Sequence, residues 1–164
     1  MAQAKTEQLQ IRVSPAEKRA IRRQAARAGM SVSEWMLSRA VPAPQRRFRE
    51  LTAELATTDE PGYAFAELLD WLARLSWRDF EEAVAEQPAV SLTPYWVNYL
   101  AATLEHAAAS KGARPPAWTR DVPPLPEPVF GSDLMSLRLH LLLHALPAFA
   151  ARNIFVDSSV GKRV

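Results

Sequence analysis

A short run of alternating apolar and polar side chains near the start of the chain predicts a single β-strand. The alternation covers residues 7–14 and has a period of two, which places successive side chains on opposite faces. The apolar face carries Leu9, Ile11 and Val13, and the polar face carries Gln8, Gln10 and Arg12. We therefore expect a strand with one buried face, together with a neighbour to which its backbone can pair.

Two short helices are predicted directly after this strand. The pattern Ser-Pro-Ala-Glu at residues 14–17 is a capping box, and it predicts a helix that runs to about residue 28. Gly29 is a natural stop for this helix. A second box, Ser-Val-Ser-Glu at residues 31–34, predicts a helix over residues 32–41 that ends before a proline.

These three elements are too small to bury a core alone, so we expect a dimer. One strand and two helices occupy about 35 residues, too few for an independent hydrophobic core. Pairing the strand with its copy in a second chain makes a two-stranded antiparallel ribbon over four helices. The predicted dimer core comprises Leu9, Ile11, Val13, Ile21 and Met36.

The outward face of this ribbon has the residue types that read DNA. A two-stranded ribbon fits the major groove, where Gln suits adenine edges and Arg suits guanine edges. The free amide groups at the start of the second helix and the basic side chains of the first suit phosphate contacts. The predicted DNA contacts are Gln8, Gln10, Arg12, Arg22, Arg23, Ser31, Val32 and Ser33.

The stretch LQIRVSPAEKRAIRRQAARAGMSVSEWMLSRAV, within residues 7–41, resembles the ribbon-helix-helix family of DNA-binding proteins (the MetJ/Arc/CopG type). The resemblance is especially to bacterial antitoxins and small autoregulatory repressors. It implies a homodimer formed through the N-terminal strand and bound to operator DNA. Trp35 departs from the family pattern, in which Phe or Leu is usual. The alternative is a small arm that packs on the rest of the chain, with Arg12 as an ordinary surface residue.

Beyond a stiff linker at residues 42–44, the spacing of apolar residues predicts a helical domain over residues 45–164. The whole chain is therefore expected to be mainly α, with an N-terminal module over residues 1–44. The predicted helices of the domain cover residues 45–56, 63–75, 76 to before Pro88, 94–110 and 132–146. The last of these is rich in leucine on several faces, so we expect it at the centre of the domain. Residues 114–130 contain six prolines and are expected to be irregular, and residues 153–156 have strand character.

Charge is distributed unequally between these two parts. Residues 1–50 carry 11 basic and 4 acidic residues, whereas residues 51–164 carry 9 and 14. A basic N-terminal part followed by an acidic part indicates a nucleic-acid-binding module joined to a part with a different partner. The alternative is that the basic residues form an ordinary solvated helix face.

Composition excludes several other classes of site and location. The absence of cysteine excludes disulfides and thiolate zinc sites. No apolar run reaches the roughly 20 residues that span a bilayer, and no signal peptide is visible. We expect a cytoplasmic protein without membrane contact.

From about residue 71 to 164 the chain resembles a C-terminal region of some bacterial regulators and antitoxins. The matching pieces are WVNYLAATLEH, PPAWT, LPEPVF and LPAFAARNIFV. This resemblance implies a cognate toxin as partner, and hence a transcriptional repressor that is also an antitoxin. We expect such a protein to act by binding, without turnover and without a cofactor. Trp77, Trp96 and Trp118 are the candidate partner contacts, because Trp is enriched in binding hot spots, although such residues more often lie in a core.

Two alternatives stay open for the helical domain. It could sense a small ligand, which a deep pocket lined by the tryptophans would favour. It could also be an enzyme, which a polar cluster around Glu105, His106 or His140 would favour. His140 and His144 have the i, i+4 spacing of zinc ligands, but the segment lacks the glutamate of the H-E-x-x-H pattern, so we expect helix-face histidines and no metal.

Overall fold

The computed structural model describes residues 10–40 and 43–157, and within these ranges the chain is mainly helical. The chain divides into two compact units, an N-terminal unit over residues 1–43 and a C-terminal unit over residues 44–164. In the described ranges it forms eight α-helices, one 3-10 turn and two very short strands.

The N-terminal unit contains two helices, each set by the capping box expected for it. Helix α1 spans Pro15–Arg27, and the Ser14 hydroxyl accepts a hydrogen bond from the Glu17 amide at 3.3 Å. The Glu17 carboxylate in turn accepts from the Ser14 amide at 2.7 Å. Gly29, with φ of +65°, ends this helix, and α2 follows over Val32–Ala40. Both predicted helices are confirmed.

The expected strand is not formed in the single chain. Residues 10–14 adopt no regular structure and are exposed, and Gln8 and Leu9 lie outside the described residues. The physical reason is that a strand requires hydrogen bonds to a neighbouring strand, and the described part of this unit provides none. Ser14 nevertheless has an extended backbone, with φ of −68° and ψ of 160°.

The prediction of a linker over residues 42–44 is wrong for residues 43 and 44. Helix α3 spans Ala43–Thr57, so Ala43 and Pro44 form its first turn. Proline is tolerated there because the first amides of a helix have no intrahelical acceptor. Pro42 lies outside the described residues.

Four helices build the main core of the C-terminal unit. After α3 come α4 (Pro61–Arg74), α5 (Trp77–Val84) and α6 (Pro94–Lys111). Ser76 and Thr93 cap the last two, and Gly112 with φ of +64° ends α6. The largest fully buried side chains of this core are Phe48, Leu51, Leu68, Leu72, Phe80, Val84, Leu100 and Leu104.

The proline-rich segment at residues 114–130 packs on this core through Trp118 and Val122. It contains a 3-10 turn over Ala117–Asp121, in which the Trp118 indole donates a hydrogen bond to the Val84 carbonyl at 2.9 Å. Because this donor is satisfied within the core, the large Trp side chain can be buried without leaving a polar group unpaired.

The last part of the described chain forms a second, smaller core. Strand β1 (Val129–Phe130) pairs in parallel with β2 (Ile154–Phe155), and between them lie α7 (Met135–His144) and α8 (Pro147–Ala150). Phe149 and Ile154 are fully buried in this smaller core. The described part of the chain has no helix that is both long and apolar enough to cross a membrane.

The expectation that the leucine-rich helix is central is wrong. Of the residues in α7 only Leu141 is buried, and most of its other large apolar side chains are exposed. A helix that is apolar on several faces does not reveal from its own pattern which face packs on the rest of the chain.

Candidate nucleic-acid interface

An apolar cleft lies on the N-terminal unit and brings several of the predicted dimer-core residues together. Its volume is about 590 Å³. The residues that line it are Ile11, Arg12, Val13, Lys18, Ile21, Arg22, Val32 and Met36. Ile11 is 53% exposed and Val13 is 41% exposed, so these apolar side chains still have surface that another molecule can cover.

The unit has little core of its own around this cleft. Among the described residues of α1 only Ala25 is buried, and α2 has no buried residue. Ile21 and Met36 are only partly buried. Two helices with this little burial need a further apolar surface to pack against.

Four of the residues that line the cleft were not among the predicted dimer core: Arg12 and Arg22 were predicted as DNA contacts, and Val32 and Lys18 were not expected at an apolar surface. Val32 was assigned a phosphate contact through its amide, but its side chain also lines the apolar cleft. Lys18 lies at the cleft as well, although the basic side chains of this helix were expected mostly on its outer side. Neither position belongs to the alternating run, so periodicity gave no signal for them.

The described surface of this unit is strongly basic. Its basic residues are Arg12, Lys18, Arg19, Arg22, Arg23, Arg27 and Arg39. The two acidic residues, Glu17 and Glu34, are each bound to the start of a helix. Hydrogen bonds from the Ser14 amide and hydroxyl hold the pKa of Glu17 below its usual value. The side chains of Arg12, Arg22 and Arg23 are exposed and therefore accessible to a polyanion.

At the start of α2, two of the backbone amide groups already donate hydrogen bonds within the chain. The Ser31 hydroxyl accepts from the Glu34 amide at 3.2 Å, and the Glu34 carboxylate accepts from the Ser31 amide at 2.9 Å. Val32 and Ser33 occupy the first turn, where amides have no intrahelical acceptor, so these two are the groups that suit a phosphate oxygen.

The three tryptophans proposed as partner contacts occupy different environments. Trp77 is 49% exposed, and the Arg78 guanidinium lies 5.0 Å from its ring centroid. Trp96 is partly buried against Phe65, with ring centroids 5.6 Å apart. Trp118 is buried in the core, so its proposed role as a surface contact is wrong. Trp77 has the most accessible ring of the three.

His140 and His144 of the C-terminal unit lie in local contacts. The His140 and His144 rings stack with centroids 4.1 Å apart, and His140 Nε2 lies 3.7 Å from an Asp157 oxygen. Within residues 10–40 and 43–157, no three His, Asp or Glu side chains converge in a way that could hold a metal ion.

A buried arginine ties the proline-rich segment to α6. The Arg152 guanidinium donates hydrogen bonds to Glu105 and to the Thr119 carbonyl, both at 2.7 Å. A cleft of about 210 Å³ beside this pair and a second of about 290 Å³ along residues 122–126 have no tryptophan in their linings. These two clefts therefore lack the feature that would favour a tryptophan-lined ligand pocket.

Comparison with known proteins finds a similarity for the N-terminal segment. Residues 3–58, about a third of the chain, match the family model of NikA-like proteins, described as mobilization protein NikA. No curated protein and no solved structure matches the chain. The matched segment ends one residue after α3, although Phe48 and Leu51 of this helix are buried in the core of the C-terminal unit. The N-terminal third of the chain is thus similar to a ribbon-helix-helix-type DNA-binding family.

Proposed function

We propose that this protein is a dimeric transcriptional repressor that binds its own operator and also acts as the antitoxin of a toxin–antitoxin pair. The observation that supports it most is the apolar cleft of the N-terminal unit, which lies among exposed basic side chains in a segment similar to a DNA-binding family. Such a surface can pair with a second copy through its apolar part and bind DNA through its basic part.

DNA would be read from the N-terminal strand in the dimer. Pairing of residues 7–14 with the same residues of a second copy turns Ile11 and Val13 inward and Gln10 and Arg12 outward. Arg22 and Arg23 would contact phosphates, which positions the dimer without selecting a sequence. The mechanism is binding, without turnover.

The DNA-binding proposal is tested with single substitutions in the full chain. Arg12→Ala should weaken binding to the operator more than binding to unrelated DNA, because an arginine that reads guanine contributes sequence selectivity. Arg74→Ala, which removes an equal charge from an exposed position of the C-terminal unit, is the matched control. Equal loss of affinity in both variants would leave only a non-specific charge effect and would contradict this assignment.

Toxin neutralisation is assigned to the C-terminal unit. The unit has its own core and carries the acidic balance of the chain, and the exposed ring of Trp77 gives it an aromatic anchor of the kind found at interface hot spots. Together with the resemblance of residues 71–164 to antitoxin regions, these features favour a protein partner over DNA for this unit.

Co-expression with the product of the neighbouring gene tests this second activity. That product should be toxic alone and harmless with the full chain. Trp77→Ala should reduce rescue, whereas Tyr63→Ala, which truncates another exposed aromatic residue, should not. Because α3 belongs both to the family match and to the C-terminal core, full-length variants are preferable to a chain divided at residue 44. A harmless neighbouring product would refute the antitoxin role.

A role in DNA mobilization is a second candidate, and the description of the matching family favours it. In that case the chain would bind DNA at a site of mobilization instead of upstream of its own gene. Deleting the gene would then lower the mobilization frequency, and the neighbouring product would show no toxicity.

A further inference from the structure

Three cationic side chains at the apolar cleft have no acidic partner in the described part of the chain. Arg12, Lys18 and Arg22 contribute to the lining, next to Ile11 and Val13. Within residues 10–40 and 43–157, none of the three cations forms an ion pair. Covering an apolar surface beside a positive charge is costly unless an anion accompanies it. We therefore expect the occupant of the cleft to bring a carboxylate.

The first 43 residues contain one acidic residue that has no part in a helix cap. Their three acidic residues are Glu7, Glu17 and Glu34. The carboxylates of Glu17 and Glu34 accept hydrogen bonds from the amides of their own capping serines. Glu7 lies outside the described residues, and two positions separate it from Leu9 in the alternating run. By the period of two, Glu7 therefore belongs to the apolar face of the predicted strand.

The symmetry of the ribbon determines where this carboxylate meets a second copy, and this step rests on the dimer proposed above. Residues opposite each other in an antiparallel pair lie on the same face, so a two-fold axis between two residues would set apolar side chains against polar ones. The axis must therefore pass through a residue. The centre of residues 7–14 places it at residue 10 or 11, which brings Glu7 of the partner subunit opposite Val13 or Pro15.

Lys18 is the cation closest to this place along the chain. It lies in the first turn of α1, where its amide donates a hydrogen bond to the Ser14 carbonyl at 3.0 Å, and it shares the cleft with Val13. Arg22 lies one turn further along the helix, and Arg12 belongs to the polar face of the alternating run.

We propose that Lys18 forms an ion pair with Glu7 of the partner subunit, once from each chain. The pair links the apolar cleft of one chain to the N-terminal strand of the other. Its charge complementarity makes a second copy of this chain a better occupant of the cleft than a strand without an acid at this position.

Charge reversal in the full chain, without DNA, tests the pair. Glu7→Lys and Lys18→Glu each set like charges against each other in both contacts of a homodimer. In low salt, each variant should raise the dissociation constant of the dimer about tenfold or more in sedimentation equilibrium. An equimolar mixture of the two variants can form a heterodimer in which both contacts again join Lys to Glu. The mixture should therefore dimerise nearly as tightly as the parent protein.

Two further reversals on α1 serve as controls. Arg19→Glu changes the charge of an exposed residue that does not line the cleft, so mixing it with Glu7→Lys should not restore the dimer. Arg22→Glu reverses another cation of the cleft. Recovery with Arg22→Glu and none with Lys18→Glu would overturn the assignment to Lys18.

The outcomes separate this ion pair from the dimer itself. Recovery in the mixture of Glu7→Lys and Lys18→Glu supports the pair, because charges that act within one chain cannot be restored by mixing. Weakened single variants without recovery, or single variants that dimerise like the parent protein, overturn the pair and leave the N-terminal dimer standing. A difference between variants and parent that persists at about 1 M salt, where charges are screened, also overturns it. A monomeric parent protein refutes the dimer and the ion pair together.

Discussion

Truncation of Ile11 to alanine should weaken the dimer measurably. Ile11 is 53% exposed in the single chain, so about half of its side chain is left for a second copy to bury. Full burial of an isoleucine side chain is worth about 1.5–3 kcal/mol, so this half is worth about 1 kcal/mol per chain. A symmetric dimer contains the residue twice, which makes about 2 kcal/mol and raises the dissociation constant about 30-fold.

Sedimentation equilibrium over a concentration series measures this change directly. Leu137→Ala is the matched control, because Leu137 is 41% exposed and lies outside the apolar cleft. Its dissociation constant should stay within a few-fold of the unchanged protein. Ile11→Lys should prevent dimer formation altogether, since it buries an unpaired charge. An unchanged dissociation constant in Ile11→Ala, or a monomeric parent protein at micromolar concentration, would refute the reasoning.

Three further predictions concern DNA affinity, folding stability and pH. Arg12→Ala should cost about 1–3 kcal/mol of operator affinity, measured by fluorescence anisotropy. In the same assay, Arg22→Ala should lower the slope of log affinity against log salt concentration by about 1. An unchanged slope would exclude a phosphate contact by Arg22. Arg152→Met should lower the free energy of unfolding in urea by about 3 kcal/mol, because it leaves Glu105 without its buried partner, whereas the exposed Arg120→Met should have little effect. The pKa of Glu17 is lowered in the folded chain, so the ionised Glu17 stabilises α1 above about pH 4.5. This stabilisation is lost as the pH falls through the pKa that Glu17 has in the folded chain. Glu17→Gln should remove the corresponding change from an acid titration followed by circular dichroism.

Local signals in the sequence were sufficient to predict most of the helices of this protein. Ser14, Ser31 and Thr93 start helices because their hydroxyls accept hydrogen bonds from amides of the first turn, and Gly112 ends one because it adopts a positive φ readily. These interactions join residues three or four positions apart, so they are visible in the order of the residues alone. The same holds for the alternating residues that suggested a dimer and for the basic side chains around the apolar cleft.

The tertiary structure decided which apolar surfaces are covered. The sequence shows that α7 is rich in leucine, but only packing against the rest of the unit determines that Leu141 is buried and that Leu139 and Leu143 are exposed. Trp77 and Trp118 have the same side chain, yet Trp77 is half exposed and Trp118 is buried. The Trp118 indole donates a hydrogen bond to the carbonyl of Val84, 34 positions away. Arg152 gives no local sign that it joins Glu105 and Thr119. Contacts between residues distant in the chain depend on how the helices assemble, and no pattern within a single helix contains that information.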